Sequence, residues 1–425
     1  MEAPIIFIST YASLLIFPKA RTYIALGSGT LFVVLGILPL DKVLTSVDWN
    51  VIMMIAGTMG IVHLFIQSGM PSKMADRIVR HMPNVKWVIL SLSLFAGIIS
   101  AFMDNVATVL IVAPVALVIA KKLGISPVTS ILAIAISSNL QGAATLVGDT
   151  TSILLGSAAE KDFLDFFYYQ GKPGLFFVVQ VGALLATLTL FAYLRGYRQK
   201  VQLEGETVVR DYFPTFLLLG LVLLLILVSF IPGRPHITNG LVCLSLLLIG
   251  TSREALKTKK PLQTLRHLVR EIDFNTLLLL AGLFVVIAGV VEAGMVNAVS
   301  QGFVRLSAGS LFAAYSMVVW GAVLFSAFID NIPYVAAMLP VTAGIAAQMN
   351  VDPTVLYFGL LAGATLGGNL SPIGASANIT AIGILRKSGY EVKAKEFMRV
   401  SVPFTLIAVA SGYVLIWLLW GARAG

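Results

Sequence analysis

Charge is scarce in this chain. Of its 425 residues only 12% are charged, 58% are hydrophobic and the mean hydropathy is +0.93. Soluble domains carry about 25% charged residues, so the composition excludes an ordinary soluble domain and predicts an all-α polytopic membrane protein. Cysteine is nearly missing. The single Cys243 rules out a disulfide framework and a CxxC metal site, and within its apolar run it reads as a small core hydrophobe. No GxxxxGK[ST] loop is present, so ATP hydrolysis by that route is excluded. Nothing predicts an enzyme, a cofactor or a resident metal. The net charge of +9 does not point to nucleic acid, because the basic residues sit between apolar segments, as in a protein whose partner is the lipid bilayer.

What the chain does contain is a repeat. Ala101-Phe102-Met103-Asp104-Asn105 recurs 226 residues later as Ala327-Phe328-Ile329-Asp330-Asn331, and six of fourteen positions match from Ala101–Pro114 to Ala327–Pro340. The register then holds: Pro127 falls on Pro353, Gly142 on Gly368 and Gly148 on Gly374. Upstream, Asp48-Trp49-Asn50 matches Asp273-Phe274-Asn275, and Gly69-Met70 matches Gly294-Met295, at an offset of 225.

A spanning helix needs about 20 residues. Segments 127–158 and 353–385 exceed that, and each carries a glycine-rich interruption, which predicts broken helices. Segments 87–120 and 308–346 suit two short arms turning at an Asp-Asn pair, and are expected to be re-entrant hairpins. The organisation that follows is N-terminal scaffold helices (1–47), a first repeat (48–170), linking helices and cytoplasmic loops (171–272), a second repeat (273–398) and a C-terminal helix (399–425). It amounts to about ten spans plus two hairpins. If the chain starts outside, 23 of the 29 Lys and Arg residues fall in inside loops, as the positive-inside rule requires; fourteen full spans would give the same loop sides. Helix 50–70 then runs inward and its mate 274–294 outward, so the repeats are inverted.

Intramembrane acids mark the candidate site. A carboxylate at membrane depth costs about 2.5–3.5 kcal/mol on insertion scales, and Asp104 and Asp330 occur at matching tips. Each is followed by an amide, Asn105 or Asn331, which offers donor and acceptor without charge. In the two breaks, glycines free the backbone from helical geometry, and Gly142 and Gly368 are expected to expose carbonyls as ligands. Thr145, Asn369, Ser371 and Asn378 add hydroxyls and amides. Asp149 has no acidic mate, since Ala375 holds its place, which suggests a task needed once, such as carrying a proton or holding a cation. His63, on an otherwise apolar helix, reads first as a hydrogen-bonded core histidine, with a proton relay as the alternative. No Lys or Arg falls in the repeated core at membrane depth. That disfavours a di- or tricarboxylate and suits a neutral polyhydroxyl molecule, a cation, or a small anion passing while the acids are protonated.

At these residues the chain resembles the ArsB/NhaD group of the ion-transporter superfamily, which includes arsenite permeases, the melanosomal P protein and some sodium/proton antiporters. The likeness lies in Phe102-Met103-Asp104-Asn105 through Pro114, Gly142-Ala143-Ala144-Thr145 through Gly148-Asp149, and their mates around Asp330 and Gly368. Related dicarboxylate carriers have Ser-Asn-Thr at the tips, where this chain has Asp104-Asn105-Val106 and Asp330-Asn331-Ile332. The resemblance implies two hairpin tips meeting near the midplane and substrate held between tips and breaks. It also implies a transport domain that moves against a scaffold. The expected function is proton-coupled efflux of arsenite or antimonite across the cytoplasmic (inner) membrane, with sodium/proton antiport as the alternative and a small-anion or dicarboxylate transporter ranked after it. Asn105, Thr145, Asn331, Asn369, Ser371, Asn378, Gly142 and Gly368 would contact substrate, and Asp104, Asp149 and Asp330 would handle protons or sodium. Transport would draw on an ion gradient or an ATPase partner, and the apolar linking helices suit a homo-oligomer contact.

Overall fold

In the computed structural model, which describes residues 2–200, 207–259 and 261–422, the chain is helical apart from a two-residue antiparallel pairing of Tyr168–Tyr169 with Lys172–Pro173. Among the described residues six helices are long and apolar enough to cross a bilayer: Trp49–Gln67, Asn105–Leu123, Leu175–Gly196, Phe274–Glu292, Asn331–Met349 and Ala394–Gly421. Much of the remaining apolar sequence is divided into shorter helices.

The repeat is visible as matched pieces with matched ends. Trp49–Gln67 and Phe274–Glu292 are both 19 residues long, and each is started by an aspartate, Asp48 or Asp273, whose carboxylate accepts a backbone N–H of the first turn. Each is followed by a glycine at positive φ, Gly69 (77°) or Gly294 (70°), where the chain turns into a short amphipathic helix. A Cβ would resist that backbone conformation.

The first hairpin consists of Val85–Ser100, a turn at 101–104, and Asn105–Leu123. The second consists of Leu311–Ser326, a turn at 327–330, and Asn331–Met349. Its first arm meets the preceding helix Met295–Leu306 at 116°. Asp104 and Asp330 cap the second arms, accepting from the backbone N–H of Ala107 (3.0 Å) and of Ile332 (3.1 Å).

Next come the interrupted helices. Val128–Gln141 is followed by a non-helical stretch and then Thr150–Ala158. Thr354–Gly367 runs into a 3₁₀ turn, Gly368–Leu370, and then a bend before Ser376–Lys387. Every residue of Val128–Gln141 and of Thr354–Gly367 is buried, so these two helices form the centre of the molecule. Irregular backbone is tolerable at that depth because protein, not lipid, surrounds it.

Small residues set the remaining contacts. Trp49–Gln67 lies so close to Thr238–Thr258 that a Cβ on Gly57 would fall 2.5 Å from the backbone of Cys243, which is itself buried as expected. Arg21–Val34 packs on Phe274–Glu292 in the same manner, with a Cβ on Gly282 reaching 2.8 Å from the backbone of Ala25. Close backbone approach of this kind is the usual basis of helix association in membranes, where apolar area gives no preference for protein over lipid.

Candidate functional site

Each break is fastened to the hairpin tip of its own repeat. The Thr145 hydroxyl donates to the carbonyl of Ala101, and the Ser371 hydroxyl donates to that of Ala327. Inside the breaks the pattern repeats with different side chains. Ser152 Oγ donates to the Gly142 carbonyl (2.9 Å), and Asn378 Nδ2 donates to the Gly368 carbonyl (3.2 Å). Gly148 and Gly374 sit where no side chain fits. A Cβ there would meet the Gly142 carbonyl at 2.7 Å, or the Gly368 and Ser326 carbonyls at 2.6 Å each.

A polar network crosses between the repeats. Asn139, fully buried, accepts from Asn105 Nδ2 (2.9 Å) and donates to the Thr365 carbonyl (2.7 Å) and to Asn369 Oδ1 (3.1 Å). Asn369 Nδ2 in turn donates to the Ile136 carbonyl (2.9 Å). Asp149 Oδ1 accepts from its neighbour's N–H, Thr150 (2.8 Å). Its Oδ2 accepts from Thr151 Oγ1 (2.9 Å) and Asn331 Nδ2 (3.2 Å). A hydroxyl has one proton, so the 3.0 Å contact between Thr151 and Thr365 has Thr365 as donor. Both tip amides, Asn105 and Asn331, are thereby tied into one cluster with both breaks.

A cavity of about 240 Å³ opens on this cluster. Its polar lining includes Asp104, Asn105, Asp149, Asn331 and Ser376, together with His63 and the exposed Glu271 and Asp273. No Lys or Arg lines it among the described residues. Its walls include the C-terminal half of Trp49–Gln67 and the first turn of Phe274–Glu292.

The predicted site residues therefore divide. Asp104, Asn105, Asp149 and Asn331 face the cavity. Thr145, Ser371, Asn378, Gly142 and Gly368 lie behind it and shape the backbone, and Asn369 joins the two breaks. Asp330 is the exception to the expected absence of basic partners. Arg21 Nη1 lies 2.7 Å from its Oδ2, and Ser376 Oγ donates to the same oxygen at 3.3 Å. The cluster is therefore not free of cations, because a residue outside the repeats supplies one. His63 is no core histidine either. It lies on the cavity wall, with Gln67 at 2.8 Å and Glu271 at 3.4 Å. Asn139 and Thr365 were not foreseen as site residues. They hold equivalent positions at the 226-residue offset, and both are polar residues just ahead of the glycines of the two breaks, which was the available signal.

Residues 11–363 match the citrate transporter family, CitMHS. The chain belongs to that family. An uncharacterized transporter of Mycobacterium tuberculosis is 31% identical to this family member, over 97% of each chain. The human P protein is 26% identical over 89% of this chain and 54% of its own length. Among solved structures, the YdaH transporter of Alcanivorax borkumensis superposes with a TM-score of 0.61 at 14% identity, covering 90% of this chain and 89% of that one. The fold is thus that of a polytopic helical transporter. This citrate transporter family member is a secondary transporter in a membrane, not an enzyme, and the narrower arsenite-permease resemblance resolves into this broader family of the ion-transporter superfamily.

Proposed function

We propose that this transporter exchanges protons for a small uncharged solute, and that the solute is arsenite or antimonite leaving the cytoplasm. The observation that carries the reading is the charge of the cavity: Asp104, Asp149, Asp273 and Glu271 line it, and no Lys or Arg does among the described residues. A citrate ion, the substrate in the family's description, would bring several carboxylates against four more with no Lys or Arg in the described lining to offset them, and like charges at close range repel. As(OH)₃ is a neutral triol near neutral pH. It would donate to Asp104 and Asp149 and exchange hydrogen bonds with Asn105, Asn331 and Ser376 without that penalty. Residues Thr145, Asn369, Ser371, Asn378, Gly142 and Gly368 would hold these groups in place. On the loop-charge assignment, the end of Trp49–Gln67 and the start of Phe274–Glu292 that line the cavity would lie toward the cytoplasm, so the conformation would be the one that loads solute for export.

The same four carboxylates favour a second reading, sodium/proton antiport, in which they would ligate the cation directly. Everted membrane vesicles energised with a proton gradient separate the two. Uptake of arsenite or antimonite that collapses with an uncoupler is the expected result. Sodium-dependent dissipation of the gradient with no metalloid uptake would replace the first reading with the second, and citrate uptake alone would overturn both.

A further inference from the structure

The two hairpin tips are equivalent in sequence but not in surroundings. Asp330 is paired to Arg21 at 2.7 Å, with side-chain exposures of 7% and 20%. Asp104, its mate, has no Lys or Arg partner among the described residues and faces the open cavity instead.

Arg21 is held firmly where it is. It begins the helix Arg21–Val34, which lies against Phe274–Glu292 along the close seam at Ala25 and Gly282. Thr22 Oγ1, the next residue, donates to the Asn275 carbonyl at 3.0 Å. The preceding helix Glu2–Ile16 reaches the same hairpin, where the Tyr11 hydroxyl donates to the Pro333 carbonyl at 3.0 Å. The N-terminal helix pair therefore contacts the second tip by two side chains. The ionisable groups around this cluster are Asp104, Asp149, Asp273, Glu271, His63 and Tyr11, and among the described residues Arg21 is the permanently charged cation that joins them.

We propose that Arg21 is a positioning residue for coupling: by ion-pairing Asp330 it assigns the two matching tip acids different tasks, leaving Asp104 and Asp149 to exchange protons while Asp330 is held in the ion pair. The charge-assisted hydrogen bond from Arg21 engages one oxygen of Asp330, and Asp104 has no such cation beside it, so the pair sets one of the two matching acids apart from the other. An internally symmetric site becomes asymmetric in charge through a residue that the repeats do not contain. The inference rests on the reading of the acidic cluster as the transport site.

Infrared pH-difference spectra of the purified full chain, taken between about pH 5 and pH 8, count carboxyl groups that gain or lose a proton without requiring any substrate. Asp330→Asn is expected to leave the titrating carboxylic-acid bands of the native protein unchanged. Arg21→Gln is expected to add one titrating band per chain, lost again in the Arg21→Gln/Asp330→Asn double variant, whereas Arg21→Lys, which keeps the cation, adds none. Loss of a native band in Asp330→Asn, or no new band in a folded Arg21→Gln, would overturn the role of Arg21. If Arg21→Gln fails to fold, the Asp330→Asn comparison alone decides. Failure of the transport-site reading has a different signature, in which Asp104→Asn and Asp149→Asn leave both the bands and proton-driven transport intact.

Discussion

Replacing Asn139 with alanine tests whether the cross-repeat network holds the site together. Asn139 is fully buried and makes three side-chain hydrogen bonds: one accepted from Asn105 and two donated, to the Thr365 carbonyl and to Asn369 Oδ1. Asn105 borders the cavity, where water can replace the lost partner. Thr365 and Asn369 are 0% and 1% exposed, so their acceptors would be stranded. A buried orphan costs about 1–3 kcal/mol. Side-chain hydrogen bonds within membranes average a smaller ~0.6 kcal/mol, because the unfolded reference also finds partners. Three bonds, two of them without rescue, place Asn139→Ala between about 2 and 5 kcal/mol less stable. Reversible unfolding in mixed detergent micelles measures this directly. Combining the change with Asn369→Ala should fall well short of additive, since the two variants remove one shared bond. A loss under about 0.5 kcal/mol, or strict additivity, would refute the claim that this network fastens the two repeats.

Other expectations concern the backbone, the acids and pH. Gly374→Ala should destabilise the protein by about 1–3 kcal/mol, because a Cβ would press on the Gly368 and Ser326 carbonyls at 2.6 Å. By contrast Gly383→Ala, with nothing within 4 Å and a helical position, should be neutral or slightly stabilising in the same unfolding assay. Asp104→Asn and Asp149→Asn should each abolish most proton-driven transport in vesicles while leaving the purified protein monodisperse; full activity in both would remove the carboxylates from the mechanism. Outside the spans, a hydrogen bond from Arg253 is the main influence holding the carboxyl of Asp211 well below the usual carboxylate range, with Lys257 adding to it. A group depressed in this way stabilises the fold above its unfolded pKa, near 4, and loses that contribution as the pH falls through its folded value. The stability gap between the native protein and Asp211→Asn should therefore be constant across neutral pH and close only in strong acid.

Much of the architecture was legible because its punctuation is local. Aspartates at 48, 104, 273 and 330 cap the helices that follow them, and the glycines at 69 and 294 take positive φ where their helices end. Such signals survive in the sequence because each needs a specific residue type at one position. The first hairpin turn likewise falls where the Asp-Asn pair predicts it. What escaped was tertiary. Matching residue by residue hid the Asn139 network, since its members face different residue types at the repeat offset: Asn139 opposes Thr365, and Asn369 opposes Ala143. Arg21 escaped because it lies 309 residues from Asp330, in helices that carry no copy of the repeat. His63 is hydrogen-bonded as read, to Gln67 one helical turn on, but its place on the cavity wall escaped because Glu271 comes to it from a distant part of the chain.

The two short fastenings, Thr145 to Ala101 and Ser371 to Ala327, constrain how the cavity can change sides. Each lies within one repeat, between the parts that would have to separate if a tip swung away from its break like a door. On the proposed reading, tip and break would travel as a single cassette while those bonds persist, and the groups proposed to hold the solute would keep their spacing. Access would then alternate by sliding the loaded cassette past the surrounding helices, as a drawer moves in its frame.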